Sequence, residues 1–263
     1  MTTLWMAAGY GLAIMLIMGL VAWLYSLTRQ NVNIVDSLWS LMFLAGGICY
    51  ALVAENFSHA NLLLLTLLTL WALRLSVFLA VRNWGEDEDR RYQEIRANNE
   101  PGFKLKSIYI IFGLQAGLAW VISLPLLLAI SVNTEIGYLE LAGAVIWIIG
   151  FFFEATADQQ LYRFKSNPHN KGKVLDTGLW AYSRHPNYFG EFLIWWGYFL
   201  FALSAGAWWT VFSPILMTVL LLKVSGVSLM EKGITERRSQ YRAYIEATNA
   251  FFPGKSRRSK VYL

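Results

Sequence analysis

Long apolar stretches, separated by short polar connections, run along the whole chain. Uncharged segments occupy residues 1–28, 37–54, 107–134 and 192–222. About 20 consecutive apolar residues form a helix that crosses the roughly 30 Å hydrocarbon core of a bilayer. The pattern therefore predicts an all-α protein, a bundle of seven transmembrane helices at residues 4–26, 37–54, 61–81, 107–131, 137–158, 187–203 and 208–230.

The segment 192–222 is too long for one ordinary crossing. As a single helix it would extend about 46 Å at the α-helical rise per residue. Ser204-Ala205-Gly206 lies near its middle and predicts a turn between two helices. A single long, tilted helix is the alternative.

Lys and Arg residues mark one side of the membrane. They concentrate in the longest polar segments, residues 82–106, 159–188 and 231–263, and are absent from the short connections on the other side. By the positive-inside rule, the N-terminus lies outside and the C-terminus is cytoplasmic. A soluble ligand would then reach the protein from the cytoplasm.

The composition agrees with a membrane protein and excludes an ordinary soluble domain. The 263 residues are 56% hydrophobic and 15% charged, and the mean hydropathy is +0.43. The net charge of +5 reflects the excess of Lys and Arg on the cytoplasmic side, where it would attract anionic lipid. No nucleic-acid partner is needed to explain it. We expect a multi-pass integral membrane protein of a bacterial inner membrane, or of the endoplasmic reticulum if the source is eukaryotic.

We expect one membrane domain over residues 1–263, because no repeat or linker divides the chain. We also expect the protein to be a monomer. Its substrate half would be about 1–106 and its cofactor half about 107–263. Cys49 is the single cysteine, which excludes an internal disulfide and a thiolate metal cluster. Only three histidines occur, and we predict no metal site.

Several charged residues fall inside the predicted helices or directly before one, where burial in lipid is costly. They include Asp36, Arg74, Glu154, Asp158 and Glu191. All lie in the cytoplasmic half of the predicted bundle, which favours a polar cavity open to the cytoplasm. Alternatively, Arg74 extends to the membrane surface or pairs with Asp36 or Glu191.

Two tryptophans share helix faces with two of these charges. Trp39 lies three residues after Asp36, and Trp71 three residues before Arg74. Together these four residues predict a substrate pocket for a flat, apolar ligand. Anchoring at the membrane interface, or packing, is the alternative for the tryptophans.

The polar segments offer cations for an anionic cofactor. Arg91 lies beside an aromatic residue in Asp89-Arg90-Arg91-Tyr92, a combination that suits phosphate and an adenine or ribose face. A solvated charged loop is the alternative for this segment. Lys165 and Lys173 would contact phosphate groups, or they are ordinary positive-inside residues. We also place Arg238 and Tyr241 at the cofactor, in an amphipathic helix from about Glu231 to Thr248.

The densest polar motif is YSRHPNYFGE at residues 182–191, at the start of an apolar run. Polar groups in such a position usually touch a ligand. The residues that we place at a cofactor are Tyr182, Arg184, His185, Asn187, Tyr188 and Glu191. No nucleotide-binding glycine motif of soluble enzymes, and no HExxH or GxSxG motif, occurs in the chain.

Residues 173–191, KVLDTGLWAYSRHPNYFGE, followed by an apolar span and a tail with Phe-Phe-Pro, resemble the C-terminal half of the steroid 5α-reductase family. Sterol C14 reductases contain a similar HPNY segment. The N-terminal half resembles a mostly bacterial, DUF1295-like branch of that superfamily. The matching segments are Asp36-Ser37-Leu38-Trp39, Trp71-Ala72-Leu73-Arg74-Leu75 and Asp89-Arg90-Arg91-Tyr92.

The resemblance implies a seven-helix membrane fold that holds NADPH from the cytosolic side. It implies hydride transfer to the β-carbon of an enone lipid such as a 3-oxo-Δ4 steroid. Asp36 matches the carboxylate that polarises the substrate ketone. The resemblance also implies cofactor contacts for Asp158, Lys165, Lys173, Tyr182, Asn187, Tyr188, Gly190 and Glu191.

The chain departs from the family at Trp71, where the family has a tyrosine, while Arg74 matches an arginine one turn later. A tryptophan cannot deliver a phenolic proton. The electrophile would then be a protonated Asp36, Arg74 or a water molecule, which stabilises charge on the carbonyl oxygen. The predicted catalytic residues are Asp36, Arg74 and Glu191.

Two other functions fit parts of the pattern. Membrane methyltransferases of the isoprenylcysteine or phospholipid kind carry a segment like RHPxYxGE that binds S-adenosylmethionine. They have a Glu-Glu pair after the last span, whereas Lys232 follows Glu231 here. A lipid-binding protein or a transporter would use the same cavity without chemistry.

Overall fold

The computed structural model of the protein describes residues 2–132, 135–224 and 240–256. Their regular structure is helical, without a strand among them, which confirms the all-α prediction. In chain order the helices are α1 Thr2–Arg29, α2 Ile34–Ala54, α3 His59–Asn83, α4 Arg90–Asn99, α5 Phe103–Ile122, α6 Leu124–Ser131, α7 Tyr138–Ser166, α8 Pro186–Ser204, α9 Trp208–Lys223 and α10 Gln240–Ala247.

Five of the helices in the described parts of the chain, α1, α2, α3, α5 and α7, are long and apolar enough to cross a membrane. The protein is therefore a helical integral membrane protein that contacts lipid. Helix α8 has 19 residues, and α9 is a shorter apolar helix. The count of seven spans and the orientation of the termini stay predictions.

The chain turns at Ser204-Ala205-Gly206, as its sequence predicts. Helix α8 ends at Ser204, and Gly206 adopts a φ of +77°. The N–H of Ala207 donates to the carbonyl of Ala202, which closes the end of the helix. Segment 192–222 thus forms two helices rather than one.

The helix predicted at 107–131 is interrupted instead of continuous. Helix α5 ends at Ile122, and α6 begins after Ser123. Pro125 lacks the N–H that a continuing helix would need, and its ring crowds the preceding turn. The hydroxyl of Ser123 pairs with the Tyr50 hydroxyl at 2.8 Å, so the break is held by a buried polar contact.

The polar segment 82–106, which the charge pattern indicates as a loop, contains α4. Asp89 caps this helix, because its carboxylate accepts a hydrogen bond from the N–H of Arg91 at 2.9 Å. Helix α4 ends at Asn99, just before Glu100 and Pro101.

The chain divides into two compact units. Unit 1 comprises Met1–Leu141 and Leu200–Ser213, and unit 2 comprises Ala142–Phe199 and Pro214–Leu263. The single-domain interpretation of the sequence, with its halves at 1–106 and 107–263, stays a prediction.

In unit 1, α1 buries small residues and exposes large ones. Ala8, Gly11, Gly19 and Ala22 lie on its buried side, while residues such as Ile17 are exposed. Small residues let helix backbones approach closely in a membrane, where apolar side chains gain little by leaving lipid. This stripe faces α2 and α5.

In unit 2, α7 and α8 approach each other at glycines. A Cβ added to Gly190 would lie 2.8 Å from the Cβ of Glu154, and one added to Gly197 would lie 2.8 Å from the carbonyl oxygen of Gly143. The close approach requires glycine, since any side chain would collide. It brings the start of α8 against the part of α7 that carries Glu154 and Asp158.

Candidate functional site

A cluster of four side chains surrounds the start of α2 in unit 1. The hydroxyl of Tyr92 donates to Oδ1 of Asp36 at 2.6 Å. Nη2 of Arg91 lies 3.2 Å from Oδ2 of the same carboxylate. Nε of Arg91 lies 3.0 Å from Oδ1 of Asp89. We call Asp36, Asp89, Arg91 and Tyr92 the Asp36 cluster.

Hydrogen bonds between the α1–α2 connection and the residues before α4 position this cluster. Nδ2 of Asn33 donates to the carbonyl of Asp87 at 3.1 Å, and Oδ1 of Asn33 accepts from the N–H of Asp89 at 2.9 Å. The carboxylate of Glu88 accepts from the N–H of Val32 at 3.0 Å. Two segments far apart in sequence are thereby fixed side by side, and the first turns of α2 and α4 meet.

The cluster is partly buried, and its groups shift one another's pKa. Burial and the adjacent carboxylate of Asp36 raise the pKa of Tyr92 well above its usual value, so its hydroxyl stays protonated. Burial alone would lower the pKa of Arg91, but Asp36 and Asp89 raise it instead. Burial would raise the pKa of Asp89, yet hydrogen bonds and the charge of Arg91 lower it.

Aromatic rings continue from Asp36 along α2. Trp39 packs edge-on against Phe43, with ring centroids 4.9 Å apart, and Phe43 lies 5.8 Å from Trp71. Trp71 is fully buried, which makes it part of the packed interior of unit 1. The guanidinium of Arg74 lies 5.5 Å from the ring centroid of Phe78, one turn later on α3.

The second cluster lies in unit 2, where α7 and the start of α8 meet. Nδ2 of Asn187 donates to Oδ1 of Asp158 at 3.1 Å. Oδ1 of Asn187 is buried and has no hydrogen-bond partner among the described residues. Nε1 of Trp195 donates to Oε1 of Glu191 at 3.1 Å. Asp158 and Glu191 are both buried, and we call these four residues the Asn187 cluster.

The motif before α8 is tied to the end of α10. Nη1 of Arg184 donates to the carbonyls of Ile245 and Thr248, at 2.9 and 2.8 Å. The hydroxyl of Ser183 donates to the carbonyl of Phe251 at 2.7 Å. These bonds give Arg184 a clear anchoring role within unit 2, whereas its predicted contact with a cofactor stays a prediction.

The remaining predicted cofactor residues differ in exposure. The ring of His185 is buried and stacks on Tyr188, with centroids 5.5 Å apart. Tyr241 is also buried, against Tyr244. Lys165 is exposed in the last turn of α7, and Lys173 and Tyr182 are exposed on the segment between α7 and α8. Arg238 lies outside the described residues, as do Glu231 and Lys232.

The structure thus brings some of the predicted residues together in two clusters, Asp36 with Arg91 in unit 1, and Asp158, Asn187 and Glu191 in unit 2. The other predicted residues lie outside both clusters. Asp36 and Arg91 form an ion pair in the structure. The sequence predicts separate roles for them, Asp36 at the substrate and Arg91 at the cofactor. Sequence reasoning missed Tyr92 as a partner of Asp36, although Tyr92 belongs to the quoted Asp89–Tyr92 segment. One sequence signal could have indicated this partner. Asp89 is a typical residue for a helix N-cap, so it predicts a helix in which Tyr92 is the third residue.

No group of three or more His, Cys, Asp or Glu side chains within the described ranges could hold a metal ion.

The helices and these buried polar clusters define a helical integral membrane protein with candidate ligand sites. Residues 22–248 match the family described as "Protein of unknown function (DUF1295)", so the chain belongs to that family. The family is part of the steroid 5-alpha reductase-like superfamily. The assignment to a bacterial branch stays a prediction.

The chain is also similar to an uncharacterized protein of the fission yeast Schizosaccharomyces pombe, C594.04c. The two are 28% identical over 278 residues, which cover 92% of this chain and 78% of the yeast protein. No solved structure matches the chain.

Proposed function

We propose that the protein is a membrane-embedded, NADPH-dependent reductase that transfers a hydride to the C=C bond of an enone lipid. The substrate would be a 3-oxo-Δ4 steroid, reduced at the 5α position, or a related sterol or isoprenoid. Membership in the steroid 5-alpha reductase-like superfamily supports this class of reaction.

The observation that carries the proposal is the amide of Asn187. Its nitrogen donates to Asp158, which fixes the orientation of the amide. Its oxygen is buried without a partner among the described residues. A buried acceptor of this kind costs free energy unless a ligand supplies a donor. The carboxamide NH2 of a nicotinamide is such a donor, so the residues present fit the cofactor.

Other residues of unit 2 suit the remaining parts of NADPH. The carboxylate of Glu191 is buried and held by Trp195, so it can orient a ring at the start of α8. Lys165 and Lys173 are exposed cations that would bind the phosphate groups through charge-assisted hydrogen bonds. NADPH, when bound, supplies the hydride, while the protein binds and orients the reactants and excludes water.

Unit 1 suits the lipid substrate. The Asp36 cluster offers polar groups at one end of α2, and the Trp39–Phe43 pair continues from it as an apolar wall. A ketone lipid has the same division, with one polar oxygen on an apolar body.

The test is a binding and turnover measurement on detergent-purified full-length protein. NADPH fluorescence reports nucleotide binding, calorimetry reports S-adenosylmethionine binding, and NADPH absorbance reports reduction of a panel of enones. We expect NADPH to bind and S-adenosylmethionine not to bind. Asn187→Leu should weaken NADPH binding about tenfold, the effect of one lost hydrogen bond in a buried site.

Asn167→Leu is the matched control, because Asn167 lies in the same unit and its side chain only accepts from the N–H of His169. Equal NADPH affinity in both variants would remove Asn187 from the cofactor site. Binding of S-adenosylmethionine without nicotinamide would favour the methyltransferase instead. Bound lipid without either cofactor would favour a non-catalytic lipid-binding protein.

A further inference from the structure

A polar pocket lies in unit 1, where the end of α1, the start of α5 and helix α4 meet. Its lining includes Ser26, Gln30, Arg96, Phe103, Lys104 and Ser107, and we call these six residues the headgroup pocket. We propose that the headgroup pocket binds the phosphodiester of an anionic membrane phospholipid. This site is separate from the Asp36 and Asn187 clusters, and it does not depend on the proposed reductase reaction.

The headgroup pocket lies at the depth where lipid headgroups begin. Ser26 belongs to the last turn of α1, and Phe103 is the first residue of α5. Both helices are long and apolar enough to cross a membrane, so their ends reach the boundary between hydrocarbon and headgroups. Nε1 of Trp23 donates to the carbonyl of Lys104 at 3.0 Å and ties the two ends together. In the predicted orientation this is the cytoplasmic leaflet, where anionic lipids attract basic residues.

The guanidinium of Arg96 is held in one orientation at the pocket. Its Nε and Nη2 bind the carboxylate of Glu88 at 2.8 and 2.7 Å, and Nη2 also donates to the carbonyl of Gln30 at 3.3 Å. The group lies 4.2 Å from the ring centroid of Phe103. Among the described residues, Nη1 has no hydrogen-bond acceptor, so it is available to a ligand. A planar donor that is already fixed suits a phosphate oxygen.

Lys104 gives the headgroup pocket its net positive charge. The side chain of Lys104 is exposed, and its ammonium makes no hydrogen bond or ion pair within the part of the chain that the structure describes. Glu88 already neutralises Arg96, so the charge of Lys104 remains. A phosphodiester carries one negative charge and fits this excess. A zwitterionic headgroup adds an ammonium, which the two cations would repel.

Uncharged polar groups complete the site. The side-chain amide of Gln30 is exposed and has no hydrogen-bond partner in the described ranges. Its NH2 and carbonyl can donate to and accept from the glycerol hydroxyls of a headgroup. The buried hydroxyls of Ser26 and Ser107 donate to carbonyls of their own helices, and their oxygens keep a free lone pair for a further donor.

Exposed apolar side chains continue from the pocket along both helices. Leu105 and Tyr109 lie one turn apart on α5 and are exposed, and Leu24 is exposed on α1. In a bilayer, these side chains face acyl chains. A phosphate site beside a hydrocarbon surface matches the two parts of a phospholipid, whereas free phosphate has no use for the apolar part.

Native mass spectrometry of detergent-purified, full-length protein tests the proposal. The protein is mixed with equal amounts of dioleoyl phosphatidylglycerol and dioleoyl phosphatidylcholine, and the mass of the bound lipid identifies it. We expect phosphatidylglycerol to be retained in preference. Lys104→Gln should lower its apparent affinity about fivefold, the effect of one basic residue near anionic lipid. Gln30→Glu should also weaken retention, because the new carboxylate repels the phosphodiester.

Lys106→Gln is the matched control. It removes the same charge two residues away on α5, but Lys106 is not among the pocket residues, and its ammonium donates to the carbonyl of Asn99 at 2.9 Å. The affinity of this variant for phosphatidylglycerol should stay within about twofold of the wild type, as for an ordinary surface substitution.

The alternative outcomes each overturn the proposal. An equal loss of affinity in Lys104→Gln and Lys106→Gln would show a general attraction of surface charge instead of a headgroup site. Equal retention of the two lipids by the wild type would remove the preference for an anionic headgroup. Displacement of phosphatidylglycerol by millimolar inorganic phosphate would assign the pocket to free phosphate.

Gln30→Glu keeps the test decisive if Lys104→Gln does not fold, because Gln30 is exposed and its side chain holds no described residue in place. Unchanged retention of phosphatidylglycerol in Gln30→Glu would then contradict the proposal. NADPH affinity should be the same in all three variants, so the proposed reductase function stands or falls by its own measurements.

Discussion

Replacing Arg184 by methionine should release the end of α10. Arg184 is only 9% exposed, and its Nη1 donates to the carbonyls of Ile245 and Thr248. Carbonyls in the last turn of a helix lack partners within the helix. A cation at that end also interacts favourably with the helix dipole. Methionine keeps the apolar stem but removes the donors and the charge.

The structure sets the size of the effect. A hydrogen bond to a charged group contributes about 1.5–3 kcal/mol. At least two such bonds, to Ile245 and Thr248, are lost here, but the freed carbonyls gain some bonds to water when the helix end opens. A net loss of about 3 kcal/mol raises the population of the open segment about 10²-fold.

Hydrogen exchange measured by mass spectrometry reports this opening directly. In Arg184→Met, amides in peptides from 240–256 should exchange about 10²-fold faster, while peptides from α2 should not change. Arg242→Met is the matched control, because Arg242 is an exposed arginine of α10 itself. Its exchange should stay within about twofold of the wild type, as for an ordinary surface substitution.

Unchanged exchange of 240–256 in Arg184→Met would refute the anchoring role. If Arg184→Met lost NADPH affinity while the exchange of 240–256 stayed unchanged, Arg184 would contact the cofactor directly, as the sequence predicts. The two roles are thus separated by one variant and two measurements.

Two further predictions concern the helix contact in unit 2 and the Asp36 cluster. Gly190→Ala should lower the thermal midpoint, because overpacking costs about 1–3 kcal/mol. Gly117→Ala should leave the thermal midpoint unchanged, because a Cβ added at Gly117 would meet nothing within 4 Å. Equal thermal midpoints for the two variants would contradict the packing argument. The pKa of Asp89 lies below its ordinary value of 3.8, since the hydrogen bonds and charge of Arg91 outweigh burial. Asp89 therefore stabilises the folded state above that pH, and the stabilisation is lost as the pH falls. Asp89→Asn should make the thermal midpoint less sensitive to pH from about pH 5 downward, and an identical pH dependence would contradict this.

The sequence predicts the five described helices that are long and apolar enough to cross a membrane, because hydrophobic length decides whether a segment can cross a bilayer. It also predicts the turn at Gly206, where only local backbone conformation matters. It does not predict α4, because a charged amphiphilic segment can be either a solvated loop or a short helix. The bonds of Asn33 to residues more than fifty positions away favour the helix.

In the candidate sites, too, the sequence predicts some features and leaves others to the tertiary structure. The motif at 182–191 and the charges within apolar helices mark polar residues that need partners, since an isolated charge in lipid is costly. The sequence does not say which partner each residue takes. Asp36 bonds to Tyr92 and Arg91 rather than to Arg74, and Arg184 bonds to the end of α10.

The sequence by itself determined that this is an all-α membrane protein with buried polar groups, because hydropathy and charge are local properties of the chain. Only the tertiary structure decided how those groups pair. Pairing depends on which helix ends meet, and this follows from long-range packing at Asn33 in unit 1 and at Gly190 in unit 2. Tyr92 of α4, rather than a residue of α3, lies beside Asp36 because of such a contact, across 56 positions of sequence.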